Sequence, residues 1–286
     1  MNDTSAAEKQ SFFSRAGERI TKFRNFVLNS FFVLALLVVF ASLVTSCDRE
    51  IVPKGSALVI NPIGALVEQP APPLSFPDVL LQNGPVAETA IADVLEAISL
   101  AKDDADIRLI VLNLDDLSYA SSAHALRIGE ALTAFRDAGK EVITYADYYQ
   151  QFQYHIASYS NALYMHPMGQ ALLSGYGGNN LYFKEMLQKL SINMHVFRVG
   201  GFKSAVEPFT RSSMSEEAKL ANQTLYSGLW NYLVEDIARN RQIPLADVEA
   251  YTQQFSVLLK QAGGDMARPA LEAKMVDELL TRDQAR

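Results

Sequence analysis

The sequence predicts an α/β fold built on a mostly parallel sheet, with a helical C-terminal part and one apolar helix ahead of the domain. Three observations predict it. Short apolar runs alternate with amphipathic helical stretches between residues 55 and 199, the pattern of βαβ units. After Pro208 the pattern turns to helix alone. Residues 26–44 are almost wholly apolar, broken only by Asn29, Ser30 and Ser42.

A helix rises about 1.5 Å per residue, so residues 26–44 nearly span a bilayer core of roughly 30 Å. Lys9, Arg15, Arg19, Lys22 and Arg24 precede the run, whereas Asp48, Arg49, Glu50 and Lys54 nearly cancel after it. That asymmetry keeps the N-terminus in the cytoplasm and exports the rest. A buried core helix is the alternative, but globular helices are rarely so uniformly apolar behind a basic flank. Leu43-Val44-Thr45-Ser46-Cys47, followed by Asp48, also resembles a bacterial lipoprotein box in which the cysteine carries lipid. The length of the basic leader favours an uncleaved anchor. The expected organisation is a cytoplasmic leader over 1–25, a transmembrane anchor over 26–46 that contacts lipid, and one domain over 51–286. That domain is expected on the periplasmic side of a bacterial inner membrane.

Residues 55–61 read as the first strand, with Ala57, Leu58, Val59 and Ile60 at its centre. Pro70, Pro72, Pro73 and Pro77 then make a stiff, irregular stretch, a mobile loop or a linker. Thr89 is a candidate cap for a helix to Asp103, with Ile91, Val94, Leu95 and Ile98 on one face. A strand is expected over 107–114, a helix over 121–138 ended by Gly139, and a strand over 141–145. Helix 150–159, strand 162–165, a Gly-rich irregular stretch over 172–182, helix 183–190 and strand 192–199 follow. Ser213 and Glu216 stand as a capping box for a long helix to about Arg241. Another helix starts near Leu245, shorter helical segments follow, and residues 281–286 fray.

The net charge of −7 argues against a nucleic-acid partner, because phosphate binding needs clustered Lys and Arg. The lone Cys47 excludes an internal disulfide and any CxxC site. His124, His155, His166 and His195 share no metal-ligand spacing, so no metal and no cofactor is expected. The acidic pairs Asp103-Asp104 and Asp115-Asp116 fall at element ends, where such residues are ordinarily solvated. Tyr145, Tyr148, Tyr149, Tyr154, Tyr159 and Tyr164 form an aromatic cluster that reads as core or subunit interface, with a peptide-binding wall as the alternative.

The chemistry is expected where strand 192–199 ends in Gly200-Gly201-Phe202-Lys203, since sites in open α/β sheets lie beyond strand carboxyl ends. Lys203 stands in a locally apolar run, and desolvation there favours a neutral amine able to take a proton from a serine hydroxyl. The bland alternative is a solvated loop lysine.

The stretch His195-Val-Phe-Arg-Val-Gly-Gly-Phe-Lys-Ser-Ala-Val-Glu-Pro-Phe-Thr-Arg-Ser-Ser-Met-Ser-Glu-Glu-Ala218 resembles the long-form signal peptide peptidase (protease IV) family. Ala101-Lys-Asp-Asp104, Ile128-Gly-Glu-Ala-Leu132, Phe135-Arg-Asp-Ala-Gly-Lys140, Leu229-Trp-Asn-Tyr232, Asn240-Arg-Gln-Ile-Pro244 and Gly263-Gly-Asp265 extend the likeness. The resemblance implies a ClpP/crotonase-like α/β repeat, two such repeats fused in the full-length protein, and subunits assembled in a tetrameric ring. It implies a serine/lysine endopeptidase acting on apolar signal-peptide remnants, with the lysine base carried over to Lys203. The serine belongs to the second repeat, which is expected to lie outside this sequence. Aligned by pattern, Gln151 takes the nucleophile position, and an amide cannot serve as an acyl-transfer nucleophile. Ser204 is expected to play a supporting role at most, and Ser121 and Ser122 to cap a helix. A non-catalytic scaffold and a lipoprotein binding module are the alternative readings.

Overall fold

The computed structural model describes residues 3–45, 52–71 and 87–285. The lipoprotein-box cysteine Cys47 and most of the proline-rich stretch lie outside the described residues. The chain divides into two compact units, Met1–Val52 and Pro53–Arg286. The first carries helix α1 (Asp3–Thr45), of which Thr21–Ser42 is long and apolar enough to cross a membrane.

The second unit is built on five parallel strands, β1 (Ser56–Ile60), β4 (Ile107–Asn113), β6 (Glu141–Ala146), β8 (Ala162–Met165) and β10 (Glu278–Leu279), in that spatial order. Val111 of β4 faces Val59 on one side and Ile143 on the other. After each of β1, β4, β6 and β8 the chain enters a side sheet through short strands. β2 (Gly64–Val67), β3 (Glu88–Ala90) and β5 (Leu117–Tyr119) form one, and β7 (Tyr149–Gln150) and β9 (Ala171–Leu172) the other, again parallel. Helices α2 (Ile91–Asp103), α3 (Ser122–Asp137) and α4 (Gln151–Ala157) return the chain to the main sheet. This is the ClpP/crotonase-like architecture that the resemblance implies.

The period of each long element decides what it buries. Ile91, Val94 and Ile98 of α2 and Ile128, Leu132 and Phe135 of α3 join one core with Ile110, Leu112 and Val142 of the sheet. Gly129 lets α3 approach closely, because a Cβ there would stand 2.3 Å from the Tyr159 ring. Ser121 caps α3 as expected, accepting from the His124 amide at 3.1 Å.

Four expectations need correction. Residues 192–199 form no strand, because among the described residues no strand lies beside them to take their backbone groups. Thr89 does not cap α2. It lies in β3 and exchanges two hydrogen bonds with the Ile63 backbone, at 2.8 and 2.9 Å, while Ala90 takes the cap position. The cap of α7 (Glu216–Arg241) is Ser215, whose hydroxyl accepts from Ala218 N at 3.2 Å, so Ser213 and Glu216 form no box. Short helices α8 (Leu245–Gln253), α9 (Phe255–Gln261) and α10 (Arg268–Glu272) follow, but the segment ends in β10, because Asp277 and Leu280 bond to the edge of β8.

Candidate functional site

Two places in the second unit bear on catalysis, and they are built from different elements. The first is the loop around Lys203, between the short helices α5 (Lys184–Lys189) and α6 (Glu207–Thr210). Gly200 carries a φ of 103°, a left-handed conformation that glycine alone adopts readily. The motif beyond it is fastened at its far end. Glu207 is only 2% exposed, and one carboxylate oxygen accepts from Ser215 N at 3.0 Å. The Ser215 contact holds this carboxyl below the usual carboxylate range. The carbonyl of Pro208 accepts from Phe183 N at 2.6 Å, and Phe183 stacks on Phe209 with ring centres 6.2 Å apart. Arg198 donates to the Lys203 carbonyl at 3.0 Å and lies 4.0 Å from the other Glu207 oxygen.

The Lys203 side chain itself is exposed. Of the apolar run around it, Phe202 is 64% and Phe209 42% exposed, Ala205 is exposed and Val206 half-buried, and Phe197 and Val199 just ahead of it are 98% and 84% exposed. This chain's own residues therefore do not desolvate the amine. Nor does Lys203 stand at a strand's carboxyl end, since the expected strand 192–199 is absent. Ser204 accepts from Glu207 N through its carbonyl, which makes it part of the turn.

The second place surrounds Gln151, the first residue of α4. Its side-chain oxygen accepts from Gly175 N at 2.7 Å, so the amide is spent on holding the Gly-rich loop. Next to it lies a cavity of about 600 Å³, walled by Tyr119, Tyr148, Tyr149, Phe152, Leu172 and Tyr176 and by the polar side chains of Ser122, Gln170 and Ser174. The Ser122 and Tyr176 hydroxyls are 2.9 Å apart. Lys203 is not among the residues lining it.

Residues that the sequence did not single out hold this place together. Gln153 is buried, and its amide nitrogen donates to Leu114 O at 2.8 Å and Leu117 O at 3.0 Å while its oxygen accepts from Gln150 N at 2.7 Å. Asp236 of α7 is buried and accepts from His155 Nε2 at 2.8 Å, Tyr159 OH at 2.5 Å and Asn240 Nδ2 at 3.2 Å, with Arg239 beside its other oxygen. Burial pushes the His155 imidazole down to about 4, so a neutral ring donates through Nε2. No spacing rule links 153 to 114 or 155 to 236, and only a buried Asp at an otherwise solvent-like helix position hints at the network.

The tyrosine cluster divides. Tyr145, Tyr149, Tyr154 and Tyr159 are core, each buried hydroxyl with an acceptor, whereas Tyr148 and Tyr149 also wall the cavity. Asp115 is half-buried instead of freely solvated. It accepts from Asp147 N at 2.6 Å, Arg282 pairs with it, and burial pushes its carboxyl up.

The family model of peptidase family S49 matches residues 134–286. Protease 4 of Salmonella typhi is 35% identical over 276 residues, covering 94% of this chain and 44% of that protein. Protease 4 of Haemophilus influenzae is 38% identical over 229 residues, covering 79% of this chain and 37% of that protein. The chain thus spans less than half the length of the curated relatives it matches. Among solved structures, a mutant of the membrane-bound stomatin-specific protease 1510-N is similar at a TM-score of 0.39 and 13% identity, over 80% of this chain and 81% of that one. The relatives bear out the resemblance read from the sequence.

Proposed function

This chain belongs to peptidase family S49, and we propose that it is the lysine-bearing repeat of a membrane-anchored serine/lysine endopeptidase. The observation that supports this reading is the exposed Lys203, presented from a loop fastened at Glu207 in a segment where Phe197, Val199 and Phe202 are also exposed. A surface of that kind needs a cover. The cover is a homologous second repeat, in the same full-length chain or a neighbouring subunit of a ring, which also brings the serine. Burying the lysine at that contact removes water from the amine and favours its neutral form.

In the mechanism, neutral Lys203 takes the proton of the incoming serine hydroxyl as the oxygen attacks the peptide carbonyl. Backbone amides of the second repeat hold the oxyanion. The protonated lysine then delivers its proton to the leaving amine, and the neutral amine activates the water that releases the acyl group. Gln151 takes no part, because its oxygen is engaged by Gly175 N. The substrates are apolar signal-peptide remnants reached from the membrane surface. Thr21–Ser42 anchors the protein in the inner membrane, with the second unit on the periplasmic side.

The test is hydrolysis of a fluorogenic apolar peptide by the 286-residue chain alone and after addition of a second repeat from a long-form relative. Activity is expected only on mixing, and lost with Lys203→Ala. Activity of the chain alone would refute the division of labour. No activity in a mixture whose assembly is confirmed by mass would favour a non-catalytic scaffold.

A further inference from the structure

The cavity beside Gln151 is not used by that mechanism. Among the described residues, none of the side chains lining it is Asp, Glu, Lys or Arg. A cavity without a formal charge offers nothing to a phosphate, a free carboxylate or a metal ion, and each would lose its hydration there. Its volume of about 600 Å³ falls within the range of small-ligand sites. Aromatic faces from Tyr148, Phe152 and Tyr176 suit an apolar side chain.

Gln170 and Tyr148 also wall a neighbouring, more open cavity of about 650 Å³. That neighbouring cavity carries Asp147, Arg282 and Asp283, so the uncharged lining belongs to the first cavity alone.

We propose that this cavity binds a neutral, apolar peptide segment, with an apolar side chain among Tyr148, Phe152 and Tyr176. The nucleophile position of this repeat is then a holding site, separate from the bond-breaking site at Lys203. The choice of peptide as ligand rests on the peptidase reading, whereas the neutrality of the ligand rests on the lining alone.

The experiment is fluorescence anisotropy of a short, blocked, dansyl-labelled Leu/Phe peptide with the full chain in detergent, over protein-free micelles. Saturable binding is expected. Ser174→Trp, at an exposed wall position, should weaken it by about tenfold or more. Lys203→Ala should leave it unchanged. A peptide with two of its residues replaced by Asp should bind at least about tenfold more weakly, because its carboxylates would be desolvated without a partner. No binding, equal binding by the Asp peptide, or loss on Lys203→Ala with no response to Ser174→Trp would overturn the proposal. A photoreactive version of the probe should label residues 119–122, 148–152 or 170–176, and labelling confined to other residues would overturn it even if a variant misfolds. Lysine-dependent hydrolysis in the mixed system without cavity binding would sink this inference and leave the peptidase reading standing. Cavity binding without hydrolysis would support the holding site and count against the peptidase reading.

Discussion

Gln151 and Lys203 hold corresponding interest for catalysis, yet their surroundings are opposite. Gln151 begins a helix whose first turn is tied to the β4–β5 connection by Gln153 and whose last turn is tied to α7 by the Asp236 network. Its own side-chain oxygen accepts from Gly175 N. Lys203 hangs from a loop fastened beyond it, through Glu207 to Ser215 and Pro208 to Phe183, with a lighter tie through Arg198 to its own carbonyl. Large apolar side chains around it face outward. A repeat that had to act alone would be expected to bury its reactive group in the ordered place. Here the ordered place carries an amide whose oxygen is engaged, and the exposed loop carries the lysine.

The contrast can be broken most directly at the lysine. In the reconstituted enzyme, Lys203→Ala should lower turnover by roughly a thousandfold, the range for loss of a general base, with assembly mass unchanged. Lys203→Arg should not restore it, since a guanidinium stays protonated. Near-normal kcat in either variant would remove Lys203 from the chemistry.

The ordered side should show its cost in stability. Asp236→Ala leaves His155 and Tyr159 buried without their acceptor, and a loss of about 3 kcal/mol in urea unfolding is expected. A loss below about 0.5 kcal/mol, the level of an ordinary surface change, would show that the network holds nothing together.

The same region predicts a pH dependence. His155 titrates near about 4 in the folded chain because burial disfavours its charged form, against about 6.5 when unfolded. The unfolded chain therefore binds the extra proton first on acidification. The contribution of this group, on the order of 3 kcal/mol, is complete above pH 6.5 and lost as the pH falls toward 4. Arg239, Tyr159 and Asn240 already satisfy Asp236, which leaves the carboxylate less need of an imidazolium. Imidazole nitrogen shifts followed by NMR should report a neutral His155 at pH 5.5, and a midpoint near 6.5 would contradict the burial.

Smaller effects are expected on the loop. Arg198→Ala frees the Lys203 carbonyl, so kcat of the mixed enzyme should fall by about tenfold with KM and thermal stability unchanged. A change in KM alone would assign Arg198 to substrate binding instead. Phe197→Ser should shift the unfolding free energy of the chain by less than about 0.5 kcal/mol, because the ring is already 98% exposed. It should weaken association with the second repeat in sedimentation experiments, and unchanged association would remove Phe197 from the covered surface.

The elements with a clear period were legible from the residues. The apolar run over 107–114, the i, i+3, i+4 faces of α2 and α3 and the long helix to Arg241 each carry enough repeats for local physics to fix their type. The Lys203 motif was legible through the family likeness and not through its setting. Strand 192–199 was misread because an apolar run specifies burial or pairing in general, and only the presence of a neighbouring strand makes it a strand. The side-sheet strands β5, β7 and β9 have two or three residues each, too few to show a period. Thr89, Gln153 and Asp236 carry side chains that serve caps, turns and cores equally well. By itself the sequence determined the alternation of strands and helices, the apolar N-terminal helix and the residue types of the candidate site, because these follow from local pattern and composition. Only the tertiary structure decided that Gln151 lies on an ordered cavity, because the partners of Gln151 and Gln153 come from residues tens of positions away, and that Lys203 stands exposed, because exposure depends on what packs over the loop and not on its local sequence.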